Sequence, residues 1–450
     1  MYKDKIFREY DIRGVVGEDF DEDFARLLGK AFASELVKAG GKTASIGQDC
    51  RLSSPSLTKA LISGITESGV DVIDIGIVTT PMAYFSLFTY PVDGGIQVSG
   101  SHNPADQNGF KVSIGKETRH GEGIQRLKEI IEKEDFISGE GKYEERPIRD
   151  EYIKWISENI KLKKPLKVVV DAGNGTAGPI APPILRNLGC EVIEIYTDMD
   201  GRFPNHHPDP TVAKNNADMI DKVRETGADV GLGYDGDADR LGMVNDKGEI
   251  IWGDMILMLL ARAVLEEVPG ATIIGEVKCS HVLYDDIEEH GGKAVMWKAG
   301  HSLIKARMKE LDAALGGEMS GHIFFAHRFF GFDDAVYSSC RFLELLSRKE
   351  EKLSDITDRI PKTFTTPEIR IESSDERKFD IVKEAKSYFK EQGYETIDVD
   401  GVRVVFDDGW GLVRASNTQP MLVMRFEADT EDRLEEIKEL VESKVNELNK

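Results

Sequence analysis

Three stretches of the chain repeat one order of features: an apolar strand, a polar or glycine-containing turn, a helical segment, a glycine and a second apolar strand. The copies run over 42–77, 166–197 and 271–299. In the first, Ala44 to Gly47 leads to the strand after Gly69; in the second, Lys167 to Asp171 leads to the strand after Gly189; in the third, Thr272 to Gly275 leads to the strand after Gly292. The spacing is what a helical crossover between parallel strands requires, and a glycine at that place suits a helix C-cap. Units of this kind also recur without shared ancestry, but either origin gives three α/β units in series.

The last ninety or so residues break the pattern. Short strands are expected at Val402 to Phe406, Gly411 to Arg414 and Met421 to Phe426, and a final helix from the N-cap Thr430, with Glu431 and Asp432 in its first turn. Leu434, Ile437, Val441, Val445 and Leu448 fall on one face of that helix. The stretch 361–367, rich in Thr and Pro, is the expected linker. At 450 residues the chain exceeds what one hydrophobic core can organise, so several domains are required.

Charge and cysteine usage narrow the function. A formal net charge of −23 repels nucleic acid and anionic membrane alike, so neither is an expected partner. An anionic substrate would have to be held by local Arg, Lys and backbone donors set against that field. The four cysteines, Cys50, Cys190, Cys279 and Cys340, are far apart and suggest neither a zinc site nor a disulfide scaffold, which fits a reducing cytoplasm. The charged start of the chain lacks the apolar core of a signal peptide, and the longest apolar run, 255–265, is too short to span a bilayer.

Four polar loops carry the chemistry. Ser99-Gly-Ser101-His102-Asn-Pro104 lies between two alternating stretches, 95–99 and 109–114, so Ser101 sits in a loop between strands, with Lys111 early in the return strand as a proton carrier or phosphate clamp. It is not a hydrolase elbow, because Ser99 stands where that motif needs glycine. Asp235, Asp237 and Asp239 follow an apolar strand and crowd three carboxylates together, which calls for a hard divalent cation. A calcium loop of the EF-hand type fails at Arg240 and at Asp246, and Mg²⁺ with a phosphate oxygen from phosphorylated Ser101 suits better. Glu318 and Ser320, between glycines, suit vicinal sugar hydroxyls. Arg414, Ser416, Asn417 and Thr418 suit a phosphate, and Lys278 and His301, taken to end strands of the second and third units, could line the same cleft. A rival is the dinucleotide fingerprint Gly173, Gly175, Gly178, but Pro179, Pro182 and Pro183 crowd its helix start, so it is taken as a tight strand-to-helix connection.

With these loops in order, the sequence resembles the α-D-phosphohexomutase family over essentially its whole length, most of all its bacterial phosphomannomutase/phosphoglucomutase branch. The resemblance rests on the string from Gly100 to Lys111, on Gly317 to His322, on Arg414 to Thr418 and on Tyr10 to Gly14. It implies an α/β fold: three similar α/β domains with mixed sheets plus a smaller C-terminal α+β domain around a central cleft. The expected limits are 1–147 with the phosphoserine loop, 148–250 with the metal loop, 251–361 with the sugar loop and 362–450 with the phosphate loop. It also implies that Ser101 carries a phosphoryl group, that Mg²⁺ binds its phosphate with Asp235, Asp237 and Asp239, and that Arg13 and Lys111 assist at the phosphoserine. His102 joins that catalytic set. Tyr10, Arg414, Ser416, Asn417 and Thr418 would hold the non-reacting phosphate, Glu318 and Ser320 the sugar hydroxyls, and Arg240, Lys278 and His301 other parts of the ligand. The implied activity interconverts hexose 1-phosphate and hexose 6-phosphate of glucose or mannose, with glucose 1,6-bisphosphate as intermediate and activator, in a cytoplasmic monomer or weak homo-oligomer. A phosphoglucosamine mutase and a non-catalytic phosphosugar-binding protein are the alternatives. Met319 favours the glucose/mannose branch, and Ala238, where many members have glycine, is the one departure in the metal loop.

Overall fold

The computed structural model describes residues 2–374, 376–416 and 420–449. Among them the strands form four sheets of seven, five, four and six strands. The three repeated units each give one parallel pair with its helix between. Thr43–Gln48 pairs with Asp71–Ile77, Lys167–Asp171 with Glu191–Ile195, and Thr272–Glu276 with Lys293–Trp297. Each sheet then adds antiparallel strands, so the first three sheets are mixed and the α/β expectation holds. Gly69 and Gly189 have φ of +84° and +93°, as a residue closing a helix in the left-handed region does. In the third unit that role falls to Gly291, φ +77°, and not to Gly292, whose Cβ would instead meet Ile287 and Leu265.

Burial divides the molecule differently from the repeat. One apolar cluster runs from Ile73 and Phe85 of the first sheet's region through Val168 and Leu232 to Leu257 and Phe342, so the first three units share a continuous core. The last sheet has its own cluster around Val404, Met424, Phe426, Ile437 and Val441. That sheet is antiparallel throughout and is covered by the helices Lys378–Glu391 and Glu431–Leu448. Thr430 caps the second of these by accepting from Arg433 N at 3.3 Å. The stretch 361–367 is no irregular tether: Phe364–Thr365 pairs with Met421–Ala428, so the last sheet begins inside it.

The C-terminal unit grips one segment of the third. Buried Arg403 donates to the carbonyls of Val277 and Cys279 at 2.8 Å each, Arg425 donates to Lys278 O, and Glu427 accepts from Ser280 Oγ at 2.9 Å. All four cysteines are free thiols. Burial pushes Cys50 up to about 12 and Cys190 up to about 11, and holds Cys279 and Cys340 well above the ordinary thiol value. The apolar run 255–265 lies within the buried helix Gly253–Glu267, and among the described residues no helix is long and apolar enough to cross a membrane.

Candidate active site

The strands Gly94–Val98 and Gln107–Ile114 pair antiparallel, and their connection holds Ser101 at the floor of a cleft of about 560 Å³. This loop is fixed by a residue that sequence reading did not single out. Arg51, 1% exposed, donates to the carbonyls of Ser101, Asn103, Pro104 and Gln107 at 2.6–3.0 Å, while Asp49 accepts from Gly100 N at 3.0 Å and stands 3.2 Å from Arg51 Nε. Five hydrogen bonds, four donated by Arg51 and one accepted by Asp49, thus define the loop path, and Ser101 is held at φ +49°, a conformation an L residue adopts only under constraint. Its hydroxyl donates to Asp235 Oδ2 at 2.8 Å and lies 3.0 Å from His102 Nδ1. Burial, with Arg240 and Arg13 nearby, keeps the His102 imidazole well below its usual pKa, hence neutral.

The metal loop leaves the end of the strand Val230–Tyr234. Asp235, Asp237 and Asp239 are almost wholly buried, and one carboxylate oxygen of each lies within 4.8 Å of the others. Burial and the two neighbouring carboxylates raise Asp235 well above the carboxylate range. Asp237 is driven the other way: burial opposes its charge, but Lys111 beside it prevails. Lys111 Nζ sits 2.8 Å from Asp237 and 2.5 Å from Asp239, so its amine lies on the carboxylates, and a bond to Ser101 is not among its contacts. Asp237 Oδ1 and Asp239 Oδ1 are buried and make no hydrogen bond among the described residues. Such orphaned hard oxygens fit a divalent cation. Ala238 has φ +58°, so its methyl sits where L residues are strained by about 1–2 kcal/mol.

The glycine-rich loop after Lys167–Asp171 turns out to brace this site. Thr176 donates through its N and Oγ1 to Gly236 O at 3.0 and 3.1 Å, and a Cβ on Gly178 would come within 1.9 Å of Thr197 O. At Gly175, the position where a dinucleotide's pyrophosphate would approach, the Gly236 backbone already stands, 2.7 Å from where a Cβ would be. Gly236 in turn faces the nucleophile loop: a Cβ there would stand 2.4 Å from Ser101 O. Gly236→Ala should therefore part the two loops. We expect a loss of about 1–3 kcal/mol in stability from overpacking and a fall of about 100-fold in turnover from misplacement. Thermal melting and kcat measure both, and an unchanged kcat would mean that loop contact is not needed.

Residues from all four sheet regions line the cleft. Arg13 reaches Asn103 Oδ1 at 2.8 Å and Asp11 at 2.6 Å; Tyr10 donates to Ala299 O at 3.0 Å. Glu318 accepts from Gly300 N at 2.5 Å and from Ser320 Oγ at 3.3 Å. Arg414 is held by Asp400 at 3.0 Å, and Ser416 is buried beside it, whereas Asn417 and Thr418 lie outside the described residues. Lys278 and His301 both belong to the third sheet's region, one after Thr272–Glu276 and the other after Lys293–Trp297, so Lys278 does not end a strand of the second unit as expected: it falls inside the third repeat, 271–299. Lys278 donates to Glu368 Oε1 at 2.9 Å, which holds that carboxyl at about 2. His322 also lines the cleft and was missed, although it closes the glycine loop. Its Nε2 accepts from Arg240 Nε at 3.0 Å, so its proton is on Nδ1, which is 3.1 Å from Asp333 Oδ2.

A buried serine hydroxyl against three carboxylates, under a cleft walled by Arg13, Arg240, Lys278 and Arg414, defines a phosphoryl-transfer enzyme. The comparisons with known proteins agree. Models of the phosphoglucomutase/phosphomannomutase alpha/beta/alpha domains I, II and III match residues 4–138, 150–248 and 252–364, and the model of the C-terminal domain matches 368–444. A phosphomannomutase/phosphoglucomutase of Pseudomonas putida is 47% identical over 439 residues, 97% of this chain and 94% of the relative. A phosphoglucomutase of Neisseria meningitidis serogroup A is 46% identical over 450 residues, 98% of this chain and 97% of the relative. A solved phosphoglucomutase/phosphomannomutase family structure from Burkholderia thailandensis superposes with a TM-score of 0.95 at 43% identity, covering 100% of this chain and 98% of that one. The chain belongs to the phosphoglucomutase/phosphomannomutase family and is an intramolecular phosphotransferase.

Proposed function

We propose that the enzyme interconverts the 1- and 6-phosphates of glucose and mannose through phospho-Ser101 and a hexose 1,6-bisphosphate. The observation that carries this is the Ser101 hydroxyl, 2.8 Å from Asp235 in a cleft whose lining also includes the Arg414 guanidinium, the cation for a second phosphate. In the first half-reaction the free sugar hydroxyl attacks the phosphoserine phosphorus: a new P–O bond to the sugar forms and the bond to Ser101 Oγ breaks. Ser101 keeps the electron pair as an alkoxide equivalent, which takes up a proton, and the sugar hydroxyl loses one. Arg240 turning from His322 to the ligand frees Nε2 of that imidazole to receive the hydroxyl proton. The bisphosphate then reverses in the cleft, and the other phosphate returns to Ser101 by the same step run backward.

Most of the catalysis is positioning and charge neutralisation. Arg51 fixes the nucleophile, Arg13 and Lys111 supply positive charge beside it, and Glu318 with Ser320 orients sugar hydroxyls. Tyr10, Arg414, Ser416, Asn417 and Thr418 hold the phosphate that does not react, with Lys278 and His301 on the ligand between. His102, neutral and against Ser101 Oγ, keeps the hydroxyl's rotamer after phosphate leaves. Mg²⁺, held by Asp235, Asp237, Asp239 and a phosphate oxygen on Ser101, supplies neutralisation of the transferring group's charge. Lys111 neutralises two of the three carboxylates that would hold the ion.

The test is a discontinuous isomerase assay with Mg²⁺ and a trace of glucose 1,6-bisphosphate, offering glucose, mannose and glucosamine 1-phosphates in parallel. We expect the first two to be converted to 6-phosphates, with the protein carrying one phosphate by intact mass. Preference for glucosamine 1-phosphate would move the enzyme to the amino-sugar branch, and binding of all three without conversion would make it a phosphosugar sensor.

A further inference from the structure

A second cavity, of about 520 Å³, is lined by the helix His301–Leu311, the helix Thr80–Thr89 and the loop before Ala335–Leu346. Its surroundings are built for a ligand. Phe88, Phe330 and Phe332 form an aromatic wall in which the Phe330 and Phe332 planes are parallel within 7° and Phe88 lies 4.9 Å from Phe330. In its lining, the hydroxyls of Ser302 and Tyr84 are buried, 3% and 4% exposed by residue; Ser302 Oγ makes no hydrogen bond among the described residues, whereas Tyr84 has the Lys305 ammonium beside it. An orphaned buried hydroxyl costs about 1–3 kcal/mol, so Ser302 in the cavity lining marks a place that a polar group completes. At the mouth, Lys116 makes no ion pair among the described residues and holds its ammonium 4.7 Å over the Phe88 ring.

We propose that this cavity binds a planar aromatic anion of the nucleoside phosphate class, ring on the phenylalanine wall and phosphate on Lys116. The volume falls in the range of small-molecule sites, which are mostly apolar with a few convergent polar groups. The aromatic wall selects a flat π-system, whereas the catalytic cleft is lined mostly by charged and polar side chains. In a chain of net charge −23 an unpaired ammonium at a cavity mouth is the local cation an anion requires.

The site also communicates with the cleft. Lys305 lines the cavity, sits 4.0 Å over the Tyr84 ring and pairs with Asp333 at 3.0 Å; Asp333 stands 3.1 Å from His322 Nδ1. The helix that carries Ser302 and Lys305 begins at His301, which faces the cleft. A ligand that seats on Ser302 and draws on Lys305 therefore acts on the imidazole assigned to the substrate hydroxyl, an effect on turnover that rests on the functional reading above.

The test titrates the magnesium-loaded enzyme with ADP at fixed free Mg²⁺ by calorimetry, with inorganic phosphate as the ring-free control, and repeats it on Lys116→Glu and Ala306→Trp. Ala306 is an exposed lining residue, and neither it nor Lys116 belongs to the cleft. We expect ADP to bind, phosphate not to, both variants to lose about tenfold or more in affinity, and both to keep wild-type kcat and KM without ADP. In the wild type, ADP should change kcat and leave the KM for glucose 1-phosphate unaltered. No heat with ADP up to about 1 mM, undiminished binding in both variants, or competition with glucose 1-phosphate would overturn the site. Binding without any change in kcat would overturn the coupling. ADP binding of the expected pattern in a protein that fails the isomerase assay would uphold the site and sink the functional reading alone.

Discussion

Ser101→Ala should lower turnover by on the order of 10⁴-fold or more while glucose 1-phosphate still binds. The hydroxyl is the only atom removed, and the loop that carries it is held by Arg51 and Asp49 through backbone groups the substitution leaves alone. The proposed binding contacts lie elsewhere in the cleft, at Glu318, Ser320 and Arg414, so affinity and chemistry should separate cleanly. A competing nucleophile exists two residues away: Ser99 Oγ donates to Asp237 Oδ2 at 2.7 Å, also against the metal loop. Single-turnover transfer of ³²P from labelled enzyme to sugar decides between them. Loss of phosphate incorporation in Ser101→Ala, with incorporation kept in Ser99→Ala, is the expected pattern, and the opposite pattern would transfer the role to Ser99.

Arg51→Met should be nearly as severe, although the side chain does not touch the cleft. The guanidinium donates to four carbonyls of one loop and neutralises Asp49, and methionine can do neither. Leaving Asp49 and those carbonyls uncompensated costs about 3–5 kcal/mol, because a buried pair is far more harmful to break than valuable to have. The loop then relaxes from the strained φ of Ser101, and a misplacement of about 1 Å is enough to lower kcat about 100-fold. Arg51→Lys should recover part of the stability and little of the rate, since a single ammonium cannot span the fork of acceptors. Melting temperature and kcat together test this; a folded Arg51→Met enzyme with wild-type kcat would show that the loop holds its own shape.

The parts of the site written in contiguous residues were legible. The Ser101 loop, the Asp235 to Asp239 loop and the Gly317 to His322 loop each place their groups by local turn chemistry, and the strand-helix-strand periodicity located the sheets that present them. What escaped was whatever depends on distant residues meeting. Arg51 follows a strand as an ordinary charged residue, and only its total burial against 101–107 marks it as a clamp. His322 stood in view inside a motif, but its tautomer follows from Arg240, 82 positions away, and its second neighbour Asp333 from a different loop. Lys111 was expected at the serine; the deeper pull of two buried carboxylates takes its amine instead. The Gly291–Gly292 pair shows the limit of composition even locally, since sequence offers two glycines and only the backbone says which one turns left-handed.

The state of the thiols has a practical consequence. Because three of the four cysteines are buried, and burial raises the pKa of all four including partly exposed Cys50, the native chain should react slowly with maleimide at neutral pH. A cysteine engineered at exposed Ser387 on the last unit and another at exposed Lys59 on the first would then be the two fast-reacting sites of an otherwise wild-type protein. A dye pair there reads the opening of the cleft as a distance, in solution and during turnover, without first removing a native residue.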